Sequence, residues 1–362
     1  MDPISRVVAL GAAGVGGDEA YSGEIAVTHA APANTSMVSV YPWSSSGFGT
    51  KYSDPATPPD SPYAYEGDGV AFTSDGSYIA IAYRPDPFGS DHCVNVYPWS
   101  ASGFGTKVAD PSLKLKKQTR GVAWAPDDGD IAFAFEGTPR VRAHAWSGSA
   151  WGSAYSNPSD SVPGDATGIA FSPDGDDLAV SHDGSGGIIV WPWSASGYGS
   201  KHSNPSSAIT FKGLSVAFAP DSATIAVGQD FSPYVKVYPW SGSGFGSKYS
   251  DPSTTPTGKV HGIAFSPDGT EIAFAHESSP YVSVYPWSSG FGTKYANPAT
   301  LPTGTGQEVA FTPNGDALAV AHESSPYISV YPWSSGFGAK FANPSTLPPG
   351  HALSVAFSPS AT

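Results

Sequence analysis

Four of the nine histidines, His29, His182, His276 and His322, each end a short apolar run, and an acid follows three of them: Asp183, Glu277 and Glu323. The corresponding places in the rest of the chain are Arg84, Phe135 and Gln229, with Glu136 and Asp230 after the last two. Imidazole titrates near neutrality, so a ring of such His–acid pairs would suit metal binding or proton transfer. The other reading is a repeated turn hydrogen bond that closes a hairpin. Even spacing favours it, because catalysis needs unlike groups converging on one point. Asp174, Asp176, Asp177 and Asp183 supply the hard oxygen ligands that calcium takes, but not at EF-hand spacing, and read as solvated turn carboxylates. No nucleophile elbow, phosphate loop, zinc signature or H-E-x-x-H occurs. No catalytic residue, metal ligand or cofactor is therefore expected. Cys93 is the only cysteine, so no internal disulfide can form.

Charge narrows the partners. The formal net charge is −14, which repels phosphate backbones and anionic lipid. The one basic run, Lys114, Lys116, Lys117 and Arg120, reads as a solvated loop, and no nucleic-acid partner is expected. The first residues carry an acid and no long apolar run, unlike a secretory signal. No stretch approaches the roughly 20 apolar residues of a membrane span, so no membrane insertion is expected.

What positions these residues is a repeat. Trp43, Trp99, Trp146, Trp193, Trp240, Trp287 and Trp333 follow one another at steps of 56, 47, 47, 47, 47 and 46 residues. Each unit holds four short β-like runs, a to d. In the sixth unit, run a is Gly262 to Phe265, followed by the turn Ser266-Pro267-Asp268-Gly269, in which Pro fixes φ and Gly accepts φ > 0. Run b is Glu271 to Ala275, and run c is Tyr281 to Tyr285, which Pro286-Trp287 should end because Pro donates no ladder bond. Run d starts near Gly290-Phe291-Gly292 and stops at Asn297-Pro298. With 42 Gly and 35 Pro, the chain suits short strands and tight turns, not helices. One such four-stranded sheet is marginal alone, whereas radial stacking covers both of its faces.

The turns Phe171-Ser172-Pro173-Asp174-Gly175 and Phe265-Ser266-Pro267-Asp268-Gly269 resemble the inner-strand turn of WD40-type propellers, and Tyr-Pro-Trp-Ser sits where those repeats carry Trp-Asp. The resemblance covers all seven units. It implies an all-β, seven-bladed β-propeller with four antiparallel strands per blade, in one domain over 1–362. The YPWSSGFG style is also similar to propellers of tailed-phage virions. Seven b-c-d sets meet eight a-like runs, of which Val7 to Leu10 and Leu353 to Phe357 compete for the first blade. The C-terminal run matches the repeat better and should close the ring, leaving the N-terminal run free to pair with a partner.

The tryptophans read as packing between blades, although Tyr-Pro-Trp aromatics are also able to stack on sugars. The b–c and d–a loops vary most between units and share one face of the disc, so that face should carry recognition. Its longest insertions lie in the first two units, which makes Tyr63, Tyr65, Glu66, Arg84, Asp86, Phe88 and His92 the candidate binding residues. The resulting expectation is a non-catalytic protein-binding or structural component, with a phage virion (capsid decoration or tail) as one setting. The alternatives are a lectin-like module for host-surface glycans and, third, an enzyme with its site at the central mouth.

Overall fold

In the computed structural model, which describes residues 21–32, 35–58, 66–84, 93–111 and 118–359, seven antiparallel sheets stand in a ring. Blades 2 to 7 begin with their innermost strands a: Gly67–Phe72, Thr119–Trp124, Ala166–Phe171, Gly213–Phe218, Val260–Phe265 and Gly306–Phe311. Blade 1 takes its strand a from the C-terminal segment Ala352–Phe357, which pairs with Gly23–His29. The ends of the described chain thus meet in one sheet. Tyr21 strengthens the junction by donating its hydroxyl to the Ser358 carbonyl at 2.5 Å. Val7 to Leu10 lie outside the described residues.

Strand d is shorter than expected. It is a two-residue strand such as Gly47–Phe48 in blades 1, 2, 4 and 5, four residues (Trp151–Ala154) in blade 3, and a single bridge in blades 6 and 7. Strand c also departs from expectation. In blades 1, 2, 4 and 5 it runs through the proline, as in Val38–Ser44. The missing N–H is not needed there, since Pro42 supplies only its carbonyl, which accepts from Gly49 N–H at 2.7 Å.

Burial explains the ring. Alternation sends Ile25 and Val27 to one face of their strand and Ala26 to the other, and each side is claimed by a different neighbouring blade. One cluster joins Ile25, Val27 and Tyr41 to Ala319 and Val330 of blade 7. Another joins Ala26, Val38 and Val40 to Ile79 and Ile81 of blade 2. Every pair of adjacent blades has such a cluster, and the seams between blades 1 and 2 and between blades 3 and 4 each hold two. The repeat tryptophans wedge into these seams. Trp43 meets Phe48 of its own blade and Phe341 of blade 7 edge-on, each at a centroid distance of 5.0 Å, the geometry that aromatic quadrupoles favour. Two of the tryptophans also bond across a seam: Trp193 Nε1 donates to Asp130 of the preceding blade and Trp240 Nε1 to Asp177, each at 2.9 Å.

Candidate functional site at the polar mouth

The bore of the ring is lined by the strands a, and each of them carries a register shift near its start. The pairing skips one residue per blade: Asp68, Arg120, Thr167, Leu214, His261, Gln307 and Leu353. A bulge re-aims the residue that it frees. All seven skipped residues border one cavity of about 320 Å³ at the mouth of the bore, together with Glu136, Asp165, Asp183, Lys212 and Glu308. Unlike groups therefore converge where the repeat breaks its own pattern.

The next residue in each strand forms a narrow collar: Gly69, Gly121, Gly168, Ser215, Gly262, Glu308 and Ser354. Six are small and one is an acid. Strands a approach closely here, and a β-carbon on Gly69 would lie 3.3 Å from the Gly121 α-carbon. A β-carbon on Gly262 would lie 2.5 Å from Glu308 Oε1 and 2.6 Å from its α-carbon, so the bare glycine makes room for the carboxyl group. Glu308 Oε1 accepts from Val309 N–H at 3.0 Å, but enclosure by protein outweighs that bond and pushes its pKa up to about 8. The group is thus mostly a neutral acid at pH 7.

Asp68 is buried, and burial raises its pKa to about 6, although Arg120 and Gln118 oppose the shift. Gln118 Nε2 donates to Asp68 Oδ2 at 2.9 Å, and Arg120 lies 4.0 Å from Oδ1. Arg120 also donates to Glu136 at 2.6 Å. Burial lowers the pKa of His261, which keeps its imidazole neutral. Around the rim, Lys212 meets Asp183 at 3.3 Å and Lys259 meets Glu277 at 3.2 Å. The opposite mouth is different in kind: a cavity of about 390 Å³ walled by Phe72, Phe218, Phe265, Phe357 and turn prolines.

The histidines that end strand b are structural. His29, His182, His276 and His322 are at most 1% exposed, and burial holds each pKa near 4. Three of their Nε2 atoms meet strand-c hydroxyls, His29 with Ser39 at 3.0 Å, His276 with Ser283 at 2.9 Å and His322 with Ser329 at 3.0 Å. Register also corrects one equivalence. Tyr83, not Arg84, ends strand b of blade 2, since it pairs with Gly67 as His182 pairs with Ala166. Arg84 stands instead at the place of the acids and meets Glu66 Oε2 at 3.2 Å.

Of the candidate binding residues, Glu66 and Arg84 form this ion pair, with His351 at 3.8 Å from Glu66. Tyr63, Tyr65, Asp86, Phe88 and His92 lie outside the described residues, as do Lys114, Lys116 and Lys117. Arg120 does not belong to a solvated loop but to the mouth. The four aspartates are not brought together. Asp177 is buried against His202 and Trp240 at one end of strand b, whereas Asp183 lies at the other end, on the rim. Among the described residues, no group of three or more His, Cys, Asp and Glu is placed to hold a metal ion.

No protein-family model matches the chain, and no curated protein matches it. Among solved structures it is similar to a candidate 6-phosphogluconolactonase of Bacteroides fragilis, at 12% identity over 93% of this chain and 98% of the other, with a TM-score of 0.72. It is also similar to the periplasmic gluconolactonase of Pseudomonas aeruginosa, at 13% identity over 95% and 100%, TM-score 0.68. The β-propeller domain of Myceliophteria thermophila Cps50 (Swd1) matches at 11% identity over 85% and 98%, TM-score 0.58. At these identities the likeness shows the fold alone. The expectation of a non-catalytic binding or structural protein is corrected on this finding: the similar structures include a gluconolactonase, so a repeated propeller architecture is no argument against catalysis. Unlike groups converge not in the loops or among the strand-b histidines but at the start of the strands a.

Proposed function

We propose that the chain is a hydrolase that opens a small sugar-derived lactone in the polar mouth of its bore. The observation that carries this reading is the convergence of Asp68, Arg120, His261 and Glu308 on one cavity, with Glu308 the single acid in a collar of small residues. The fold shared with a gluconolactonase supports the substrate class by analogy.

The residues divide the chemistry between them. Neutral Glu308 donates a hydrogen bond to the lactone, first at the carbonyl oxygen and then, as a proton, to the departing ring oxygen. Asp68, a carboxylate at neutral pH, takes a proton from the attacking water. Water oxygen bonds to the carbonyl carbon, the ring C–O bond breaks, and a hydroxy acid results. Arg120, next to Asp68, favours the carboxylate form and orients it. Charge argues for an unphosphorylated substrate. Asp68, Glu136, Asp165 and Asp183 outnumber the cations Arg120 and Lys212 around the cavity, so a phosphate group would be repelled.

The test is the rate of glucono-1,5-lactone opening above its spontaneous rate, with 6-phosphogluconolactone alongside. Acceleration of the first and weaker acceleration of the second support the reading. A rate equal to the spontaneous one for both would refute it.

A further inference from the structure

Blade 4 departs from the repeat three times, on strand c and in the turn before it. In blades 1, 6 and 7 the strand-c residue facing the buried histidine is Ser39, Ser283 or Ser329, whereas blade 4 has Ile189. In five blades a strand-c tyrosine ties down the preceding d–a loop, as Tyr285 does by donating to the Thr254 carbonyl at 2.6 Å. Blade 4 has Trp191 there, fully buried, and its Nε1 has no partner. In the b–c turn, Gly186-Gly187 replaces the Pro280-Tyr281 of blade 6.

One of them, Ile189, borders a cavity of about 300 Å³ between the loop that follows blade 3 and the b–c hairpin of blade 4. His182, 1% exposed, lines it, and its Nδ1 has no hydrogen-bond partner. His29 and His276, by contrast, use both ring nitrogens. His322 also has a bare Nδ1, but Ser329 holds its Nε2. A buried polar atom without a partner is costly, so a ligand that satisfies it is favoured. The other walls offer Ser159, Ser161, Ser185, Asp160, Lys201 and Asn204, with Ile188 and Ile189 as apolar surface. Donors and acceptors are mixed, and the one carboxylate and one ammonium cancel.

We propose that this pocket is a second binding site, separate from the mouth, for a neutral polyol of monosaccharide size, whose hydroxyl groups meet His182 and the serines. The site does not depend on the lactonase reading.

Titration of the isotope-labelled full chain with D-glucose, followed through the imidazole NMR signals, tests it. The His182 signal should move saturably in the millimolar range while those of His29, His276 and His322 stay fixed. His182→Gln should abolish binding and still fold, since Gln229 occupies that place in blade 5. Glu308→Gln should leave glucose binding unchanged. No movement of the His182 signal in the parent protein, or undiminished glucose binding by calorimetry in the folded His182→Gln variant, would overturn the proposal.

Discussion

Two rings of seven residues circle this propeller, and they teach opposite lessons. One ends the strands b, with four histidines among its members. It looks chemical in the sequence and is structural in the fold: its histidines are buried, neutral, and, in three of four blades, hydrogen-bonded to a strand-c serine. The other starts the strands a, from Asp68 to Leu353. It has no motif, yet it sets seven side chains of six kinds around one cavity. Sameness around a symmetric ring serves packing, and the same bond recurs in blades 1, 6 and 7. Difference at one level of the ring breaks the symmetry and builds a site.

The comparison is broken most directly by Glu308→Gln. This variant keeps the volume and removes the proton donor, so lactone opening should fall by about 10²–10⁴-fold with Tm nearly unchanged. Asp68→Asn should cost about 10²-fold and erase the acid limb of the pH profile. With Asp68 near 6 and Glu308 near 8, kcat/KM of the parent protein should rise through the first value and fall through the second.

In the other ring the effect should move from rate to stability. His276→Ala strands the Ser283 hydroxyl and empties a buried volume. A loss of about 1–3 kcal/mol by denaturant titration is expected, with kcat unchanged in the surviving folded protein. A large loss of kcat at constant stability would reverse the assignment of the two rings.

The smallest effect is the pH dependence of stability itself. The four strand-b histidines have folded pKa values near 4, below the ordinary 6.5. Between those values the unfolded chain binds more protons, so their contribution to stability is lost as pH falls from 6.5 towards 4. Glu308 has the opposite sign. Its folded pKa is raised, the native state holds the extra proton, and stability falls as pH rises towards 8. Between pH 6.5 and 8 Glu308 acts without the histidines, and Glu308→Gln should flatten the curve there.

The repeat was legible in the sequence because the same contacts recur from blade to blade: the turn after strand a, the proline that supplies only a carbonyl (Ala145 in blade 3), the tryptophan in each seam. The match of Leu353 to Phe357 to the other strands a likewise pointed to the closing strand. The site was present but unread. Aligned on Val-Ala-Phe, the preceding residues run Gly69, Gly121, Gly168 (before Ile), Ser215, Gly262 (before Ile), Glu308 and Ser354, and the one acid stands out. Its meaning depends on the bore, which exists only after seven strands a face one another. Bulges are also invisible in the sequence, and they alone turn Asp68 and Arg120 into the mouth. The one-residue error at Arg84 arose in the same way, because register decides equivalence and the longer second hairpin hides it.

The central claim is that chemistry resides at the collar and not in the histidine ring. The most direct measurement is the rate of glucono-1,5-lactone opening by the parent protein, Glu308→Gln and His276→Gln, across the pH span that brackets 6 and 8. The account predicts a bell-shaped profile for the parent protein and for His276→Gln, and the spontaneous rate for Glu308→Gln. Full activity in Glu308→Gln, or loss of activity confined to His276→Gln, would contradict it.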